Sequence, residues 1–539
     1  MTLEGLLLFI LAVQLIHFGG TWKLYQKAGR QAWEAAIPVY NAVILMKIVK
    51  RPWWYTILLF VPIVNLIMFP VVWVETLRSF GRNSNLDTFL GIATLGFYIY
   101  YINYATDATY DPERNLNPRT VAGEWVSSIL FAVVAATLVH TYIMQPFTIP
   151  TSSLEKTLLV GDFLFVSKFH YGARTPMTPI AWPMAHDTLP LVKTKSYSPQ
   201  LKSPYTRLPG FQKIKRNEIV VFNWPVDTVN VVSAPHLEDG LFHYKPIDKK
   251  TNYVKRCVGL PGDSISVRNG YVFVNGEQNV LPDRAKLQFA YNVVTKQTLS
   301  EQQEDFVRKR YDITDFILTQ RANPAQGIPA VYYAQITDPA LERFKNFDQI
   351  LQIIPVRDNE VMSEGYWDRD VFPYQPEQAW NNNYFGPLYI PQEGATVEIT
   401  PETIHYYKRI IEVYEGYEMG FDNKIRITKD QVFLNEKPLT EYTFLQDYYW
   451  MMGDNRFNSE DSRTWGYVPF NHVVGKPVFV WMSLDSKAKG LANKFRWDRF
   501  FTTVHGSGEP VSYLKPFLAL LAAWFIFSFI RKRRKQKKA

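Results

Sequence analysis

The sequence predicts a mainly β domain on the extracytoplasmic side of a membrane, with a large α/β insertion. Several transmembrane α-helices at the N-terminus and one at the C-terminus anchor it. Three observations lead there. Long apolar runs are confined to residues 1–145 and 511–539, while the middle of the 539-residue chain is polar and cut into short alternating segments. The mean hydropathy of −0.15 therefore averages two different materials. Short β-branched and aromatic runs bounded by Gly, Asn or Pro recur through that middle, the pattern of strands and turns. Finally, most of the net charge of +9 stands in Arg-Lys-Arg-Arg-Lys-Gln-Lys-Lys at 531–538, directly after an apolar run. Such a tail is a cytoplasmic anchor by the positive-inside rule, and it leaves no general basic surface for nucleic acid.

Taken in order, residues 3–18 are a first apolar span without the basic n-region or small-x-small exit of a cleaved signal. Residues 35–49 hold Ile37-Pro38-Val39-Tyr40-Asn41, echoed in the next block by Val61-Pro62-Ile63-Val64-Asn65. Pro and Asn at membrane depth need protein partners for the backbone groups they free, which marks one of these units as re-entrant or interfacial. Residues 53–74, 89–104 and 125–144 read as further spans. Lys47, Lys50, Arg51, Arg114 and Arg119 put the loops before the second and fourth spans in the cytoplasm, although Arg78 and Arg82 run against that count. The fourth span then leads outward, and 517–530 returns.

The chain so divides into a multi-span region 1–124, a helix 125–146, a β-domain in two parts (147–278 and 424–510) and a C-terminal helix with its tail, 511–539. The insertion, 279–423, shows helical patches at 299–309 and 339–347 and carries no assignable motif. Within the β parts, 219–222, 264–274, 424–434 and 478–482 read as strands. Two segments echo each other as hairpins: Val267 to Glu277 with a turn at Asn-Gly, and Ile427 to Lys437 with a turn at Lys-Asp.

Three polar stretches carry residues able to do chemistry. The first, 149–162, has consecutive hydroxyls at Thr151, Ser152 and Ser153 just past the fourth span. The second is Tyr253-Val254-Lys255-Arg256-Cys257-Val258-Gly259-Leu260-Pro261-Gly262-Asp263. The third, 451–466, is dense in Asp, Asn, Ser and Arg. A hydroxyl nucleophile needs a base, yet no His lies in these stretches and no G-x-S-x-G elbow is present. A desolvated lysine serves instead if it is neutral near the working pH. Lys255 sits on a strand with a dry face, while Arg256 points to the other side and stays charged. The third stretch fails as a calcium loop because Arg456 occupies the second ligand position. It reads as a buried network in which Asp461 pairs with Arg463 and Ser459 orients a neutral lysine. The single cysteine, Cys257, excludes an intrachain disulfide and a Cys-rich metal site. Taken singly, each stretch also fits a plain linker, a solvated strand or an Asx turn, and the residues alone do not choose between Ser152 and Ser153.

In this order the stretches closely resemble type I signal peptidases, the membrane-bound Ser-Lys endopeptidases. Residues 255–263 match the family's Lys-Arg-x-Val-Gly-x-Pro-Gly-Asp, and 453–466 match Gly-Asp-Asn-Arg-x-Asn-Ser-x-Asp-Ser-Arg-x-Trp-Gly. The resemblance covers roughly 126–275 and 425–485. It implies Ser153 as nucleophile, Lys255 as general base, and the Thr151 hydroxyl with the Ser153 N–H as oxyanion hole. It implies Ser459 as orienter of the lysine and Asp461 and Arg463 as a supporting ion pair, with no metal or organic cofactor. The implied partners are the lipid bilayer and preproteins whose N-terminal signal peptides are removed after small residues. The implied location is the cytoplasmic (inner) membrane, multi-pass, with the catalytic domain outside. There are departures. Leu154 replaces a usual Met, and Lys156 replaces a usual Pro, which loosens the turn and brings an extra cation close to the lysine or into solvent. Phe457 replaces a common Asp and is apolar enough to face lipid.

Overall fold

The structure, a computed structural model, describes residues 3–118, 120–190, 192–227, 245–357, 368–486, 488, 490 and 492–536. Two compact units emerge: Met1–Ile143 with Arg174–Arg207, and Met144–Ala173 with Leu208–Ala539.

The first unit is helical. Leu3–Lys27 forms one helix that includes the first apolar run. The runs 35–49, 53–74 and 89–104 are not continuous helices. Each breaks at a non-glycine residue with positive φ: Val39 (+66°), Ile63 (+70°) and Leu95 (+52°). In the two echoing units the break follows Pro38 and Pro62. Proline withholds an N–H and bars the preceding residue from helical backbone. The resulting helices Tyr40–Ile48, Asn65–Ser79, Asn85–Ala93 and Tyr98–Ala105 have 9, 15, 9 and 8 residues. At 1.5 Å per residue they reach only about 12–22 Å, short of the ~30 Å hydrocarbon core of a bilayer. Polar side chains meet inside the unit: Tyr25 donates to the Asn41 carbonyl at 2.7 Å, Asn41 Nδ2 donates to Gln14 Oε1 at 3.1 Å, and Arg51 and Arg114 both pair with Glu75. Arg119 lies outside the described residues. Among the described residues, two helices are long and apolar enough to cross a membrane: Val121–Ile143 and Leu514–Arg534.

The second unit is mainly β. Its central antiparallel sheet uses Met144–Thr148 (β1), Asp162–Ser167 (β2), Ile219–Asn223 (β3), Asn252–Gly259 (β4), Tyr448–Met452 (β5), Val468–Pro469 (β6) and Val473–Ser483 (β7). Their order is β1-β2-β7-β3-β4-β5-β6. The unbroken apolar run in β3 follows from burial on both faces. Ile219 and Val221 join one core with Ile149, Leu154 and Leu158, and Val220 and Phe222 join another with Cys257, Met451 and Trp465.

The two echoing segments fold alike, each into a three-stranded antiparallel meander, 264–278 and 425–438. The first turns at Asn269-Gly270 (φ +53° and +80°), the backbone of a type I′ turn. The Lys429-Asp430 turn closes with a Thr428 N–H to Gln431 carbonyl bond of 2.9 Å. Within 279–423, a four-stranded sheet (Ile350–Pro355, Gln288–Thr295, Ala330–Thr337, Phe316–Gln320 in order) and the helices Glu301–Tyr311 and Asp338–Phe344 share their own core. That core is narrower than the insertion predicted from sequence. Phe385–Tyr389 pairs with Ser264–Arg268, and residues 385–414 pack with residues of the two meanders and of β5.

Candidate active site

The hydroxyl stretch is a loop closed at its base. The Ile149 N–H donates to the Asp162 carbonyl and the Gly161 N–H to the Ile149 carbonyl, both at 2.9 Å. Leu154 and Leu158, four apart, turn inward onto Ile219 and Val221 and so fix the tip. Thr151 is exposed in extended backbone, and residues Ser152–Leu154 make one short 3-10 turn. The neighbouring serines are treated differently. Asn458 Nδ2 donates to Ser152 Oγ at 2.6 Å, whereas among the described residues no group hydrogen-bonds the buried Ser153 hydroxyl. The Ser153 carbonyl accepts the Asn455 N–H at 3.0 Å.

Lys255 comes from β4 and is 4% exposed. Burial lowers its ammonium to about 8; Asp461, Glu460 and Asp454 oppose that shift and Arg463 adds to it. Its Nζ lies 5.7 Å from the Tyr253 ring centroid and has no hydrogen-bond partner among the described residues. A desolvated amine with a free lone pair near neutral pH is chemically a base.

Serine loop and lysine strand converge on residues 453–463. Asp461 and Arg463, both buried, form a two-point pair with each bond at 2.9 Å, and Asp461 also accepts the Gly453 N–H at 3.0 Å. Burial is the largest influence and raises the Asp461 carboxyl, but Arg463, the Gly453 N–H and Lys255 together hold it below the usual range. Ser459 Oγ donates to Asp461 at 2.9 Å and makes no bond to Lys255 in this structure. Gly453 is the point of closest approach. A Cβ there would overlap the Ser459 side chain and the Ser153 carbonyl. Gly453→Ala is therefore expected to fold yet lower kcat by about 100-fold, since ångström-scale misplacement of reacting groups costs that much; steady-state cleavage assays measure it.

Sequence reasoning missed the clamp behind this frame. Arg256 reaches Asp454 through two bonds of 2.7 and 2.6 Å, with both side chains buried. Thr157 Oγ1 donates to the same carboxylate at 2.6 Å, so Asp454 holds the serine loop and the lysine strand together. The signal lay in the motifs themselves: Arg256 adjoins Lys255, and Asp454 adjoins Gly453. Two departures have definite places. Lys156 adopts φ +70°, which proline cannot, and its Nζ pairs with Asp312 of the insertion at 2.6 Å. The main charges acting on Lys255 are Asp461, Glu460, Arg463 and Asp454 instead. Phe457 is half-buried against the insertion core.

Comparison with known proteins adds the following. Residues 122–334 and 393–482 match the family described as signal peptidase, peptidase S26, and residues 33–113 match a family of unknown function, DUF5684. Similar proteins include the signal peptidase I of Haemophilus influenzae, 24% identical over 399 residues that cover 73% of this chain and 79% of that one. Signal peptidase I of Buchnera aphidicola from Acyrthosiphon pisum is 26% identical over 373 residues, 68% of this chain and 77% of the relative. That of Helicobacter pylori strain 26695 is 26% identical over 391 residues, 71% and 91%.

Proposed function

This chain belongs to the signal peptidase family, peptidase S26, and we propose that it removes signal peptides with a Ser153–Lys255 dyad. It is a serine peptidase, and its substrates are signal-peptide-bearing preproteins. The observation that carries the residue assignment is the buried Lys255, lowered to about 8 and without a hydrogen-bond partner among the described residues, on the same frame as Ser153, whose hydroxyl, unlike that of Ser152, is uncommitted among them.

Neutral Lys255 takes the proton of Ser153, whose Oγ attacks the carbonyl at the cleavage site. The dyad bond closes with substrate in place, as catalytic hydrogen bonds commonly do. The oxyanion is held by the Thr151 hydroxyl and the Ser153 N–H. Lys255 then gives the proton to the leaving amine, and water hydrolyses the acyl-enzyme. Ser459 and the Asp461–Arg463 pair set the lysine's surroundings. Residues 1–124 lodge at the membrane, the helix 125–146 crosses it, 147–278 and 424–510 with the packed residues 385–414 form the catalytic part outside the cytoplasm, the remainder of 279–423 is inserted there, and 511–539 returns to the cytoplasmic face.

Detergent-solubilised full-length protein tests this on a model precursor with Ala at both small positions of its cleavage site. Exchanging the Ala next to the cut for Leu is expected to lower kcat/KM by about 100-fold. Failure to cleave any of a varied precursor panel makes the chain a binding module instead.

A further inference from the structure

Residues 494–513, beyond the family-matched region and before the C-terminal helix, hold the base of the serine loop. Arg499 Nε donates to Asp162 Oδ1 at 3.0 Å and its Nη2 to Oδ2 at 2.5 Å, with a longer bond of 3.4 Å to the Thr157 carbonyl. The Asp162 side chain is fully buried, and beyond Arg499 its carboxylate accepts the Leu159 N–H at 2.9 Å. Arg496 adds a bond of 2.9 Å to the Val160 carbonyl. Arg499 is itself fixed. Thr502 Oγ1 donates to its carbonyl at 2.9 Å, and Thr502–Thr503 pairs with β7. Arg284 pins the next turn through the carbonyls of Thr503, His505 and Gly508 at 2.8–2.9 Å.

We propose that Arg499 is a positioning residue of the reaction, setting Ser153 by locking Asp162 at the base of the loop. The proposal rests on Ser153 as nucleophile. Asp162 closes the loop through its own carbonyl and lies against β7. A buried carboxylate that loses its cation draws water or shifts, and the base of the loop moves with it. The tip stays tied to Asn455, so substrate still binds while the attack geometry is lost.

The test compares wild type, Arg499→Met and Arg499→Lys, full-length in detergent, on one model precursor. Arg499→Met is expected to lower kcat by about 10–100-fold with KM within about twofold. Arg499→Lys keeps the charge without the fork and should recover part of kcat. Millimolar guanidinium should raise the rate of Arg499→Met and not that of wild type, and the pH midpoint set by Lys255 should not move. A folded Arg499→Met with wild-type kcat, or with a change in KM alone, overturns the proposal. If Arg499→Met does not fold, Arg499→Lys decides: lowered kcat with unchanged Tm supports the idea, and full kcat refutes it. Ser153→Ala run alongside separates the two failures. An active Ser153→Ala removes the dyad reading, whereas a dead Ser153→Ala beside a full-rate Arg499→Met removes the positioning role alone.

Discussion

Ser153→Ala and Lys255→Met are each expected to lower turnover of a model precursor by about 1,000-fold or more, the scale for losing one member of a catalytic unit. Ser152→Ala, whose hydroxyl is committed to Asn458, should keep most activity. The acid limb of the pH profile follows from the lysine. It must be neutral to act, so the rate should rise with pH through about 8. Stability supplies the control. The folded pKa lies below the unfolded value of 10.5, so folding binds fewer protons between those values and burying Lys255 carries its full cost below about 8. That cost fades as pH rises toward 10.5. Lys255→Met should therefore stabilise the fold at pH 7 by roughly 1–3 kcal/mol, with the gain vanishing near pH 10.5. Cleavage assays beside thermal melts at the two pH values check this. A destabilised Lys255→Met contradicts the burial argument, and an active one contradicts the dyad.

Arg256→Ala is expected to cost about 3–5 kcal/mol, because it strands the buried Asp454 carboxylate. Burial raises that carboxyl, and Arg256 is the main influence holding it down. Activity should fall with stability, since Asp454 also carries Thr157 and so the serine loop. Replacing both partners, Arg256→Met with Asp454→Leu, removes the stranded charge and should recover much of the lost stability but not the activity, as the bond to Thr157 goes too. Near-UV circular dichroism melts of the single and double variants, with cleavage rates, distinguish the two contributions. Equal melting of Arg256→Ala and wild type would show that the pair contributes nothing.

What the sequence revealed was local. Asn269-Gly270 announced a hairpin because its turn needs positive φ at both residues. The β3 run announced a buried strand, and the order of the three polar stretches announced a family. What it hid was of two kinds. Hydropathy counts apolar side chains but not backbone breaks, so the runs through Val39, Ile63 and Leu95 read as spans although each is interrupted. Long-range partners leave no periodic trace: Arg256 and Asp454 are 198 residues apart, and Lys156 and Asp312 are 156 apart. The pairing of Phe385–Tyr389 with Ser264–Arg268 was invisible for the same reason. Ser153 over Ser152 came from resemblance alone, and the Asn458 bond is its first physical distinction.

The clamp on the serine loop has a consequence for biosynthesis. Thr157 finds Asp454 only after 297 further residues have been made, which at about 5–20 residues per second takes roughly 15–60 s. Through that interval the hydroxyl stretch has only its base bonds and its packing on Ile219 and Val221, without the clamp to Asp454. A ribosome-bound or truncated product ending before residue 454 is thus an incomplete peptidase, and proteolytic competence waits until residues 453–463 have been made.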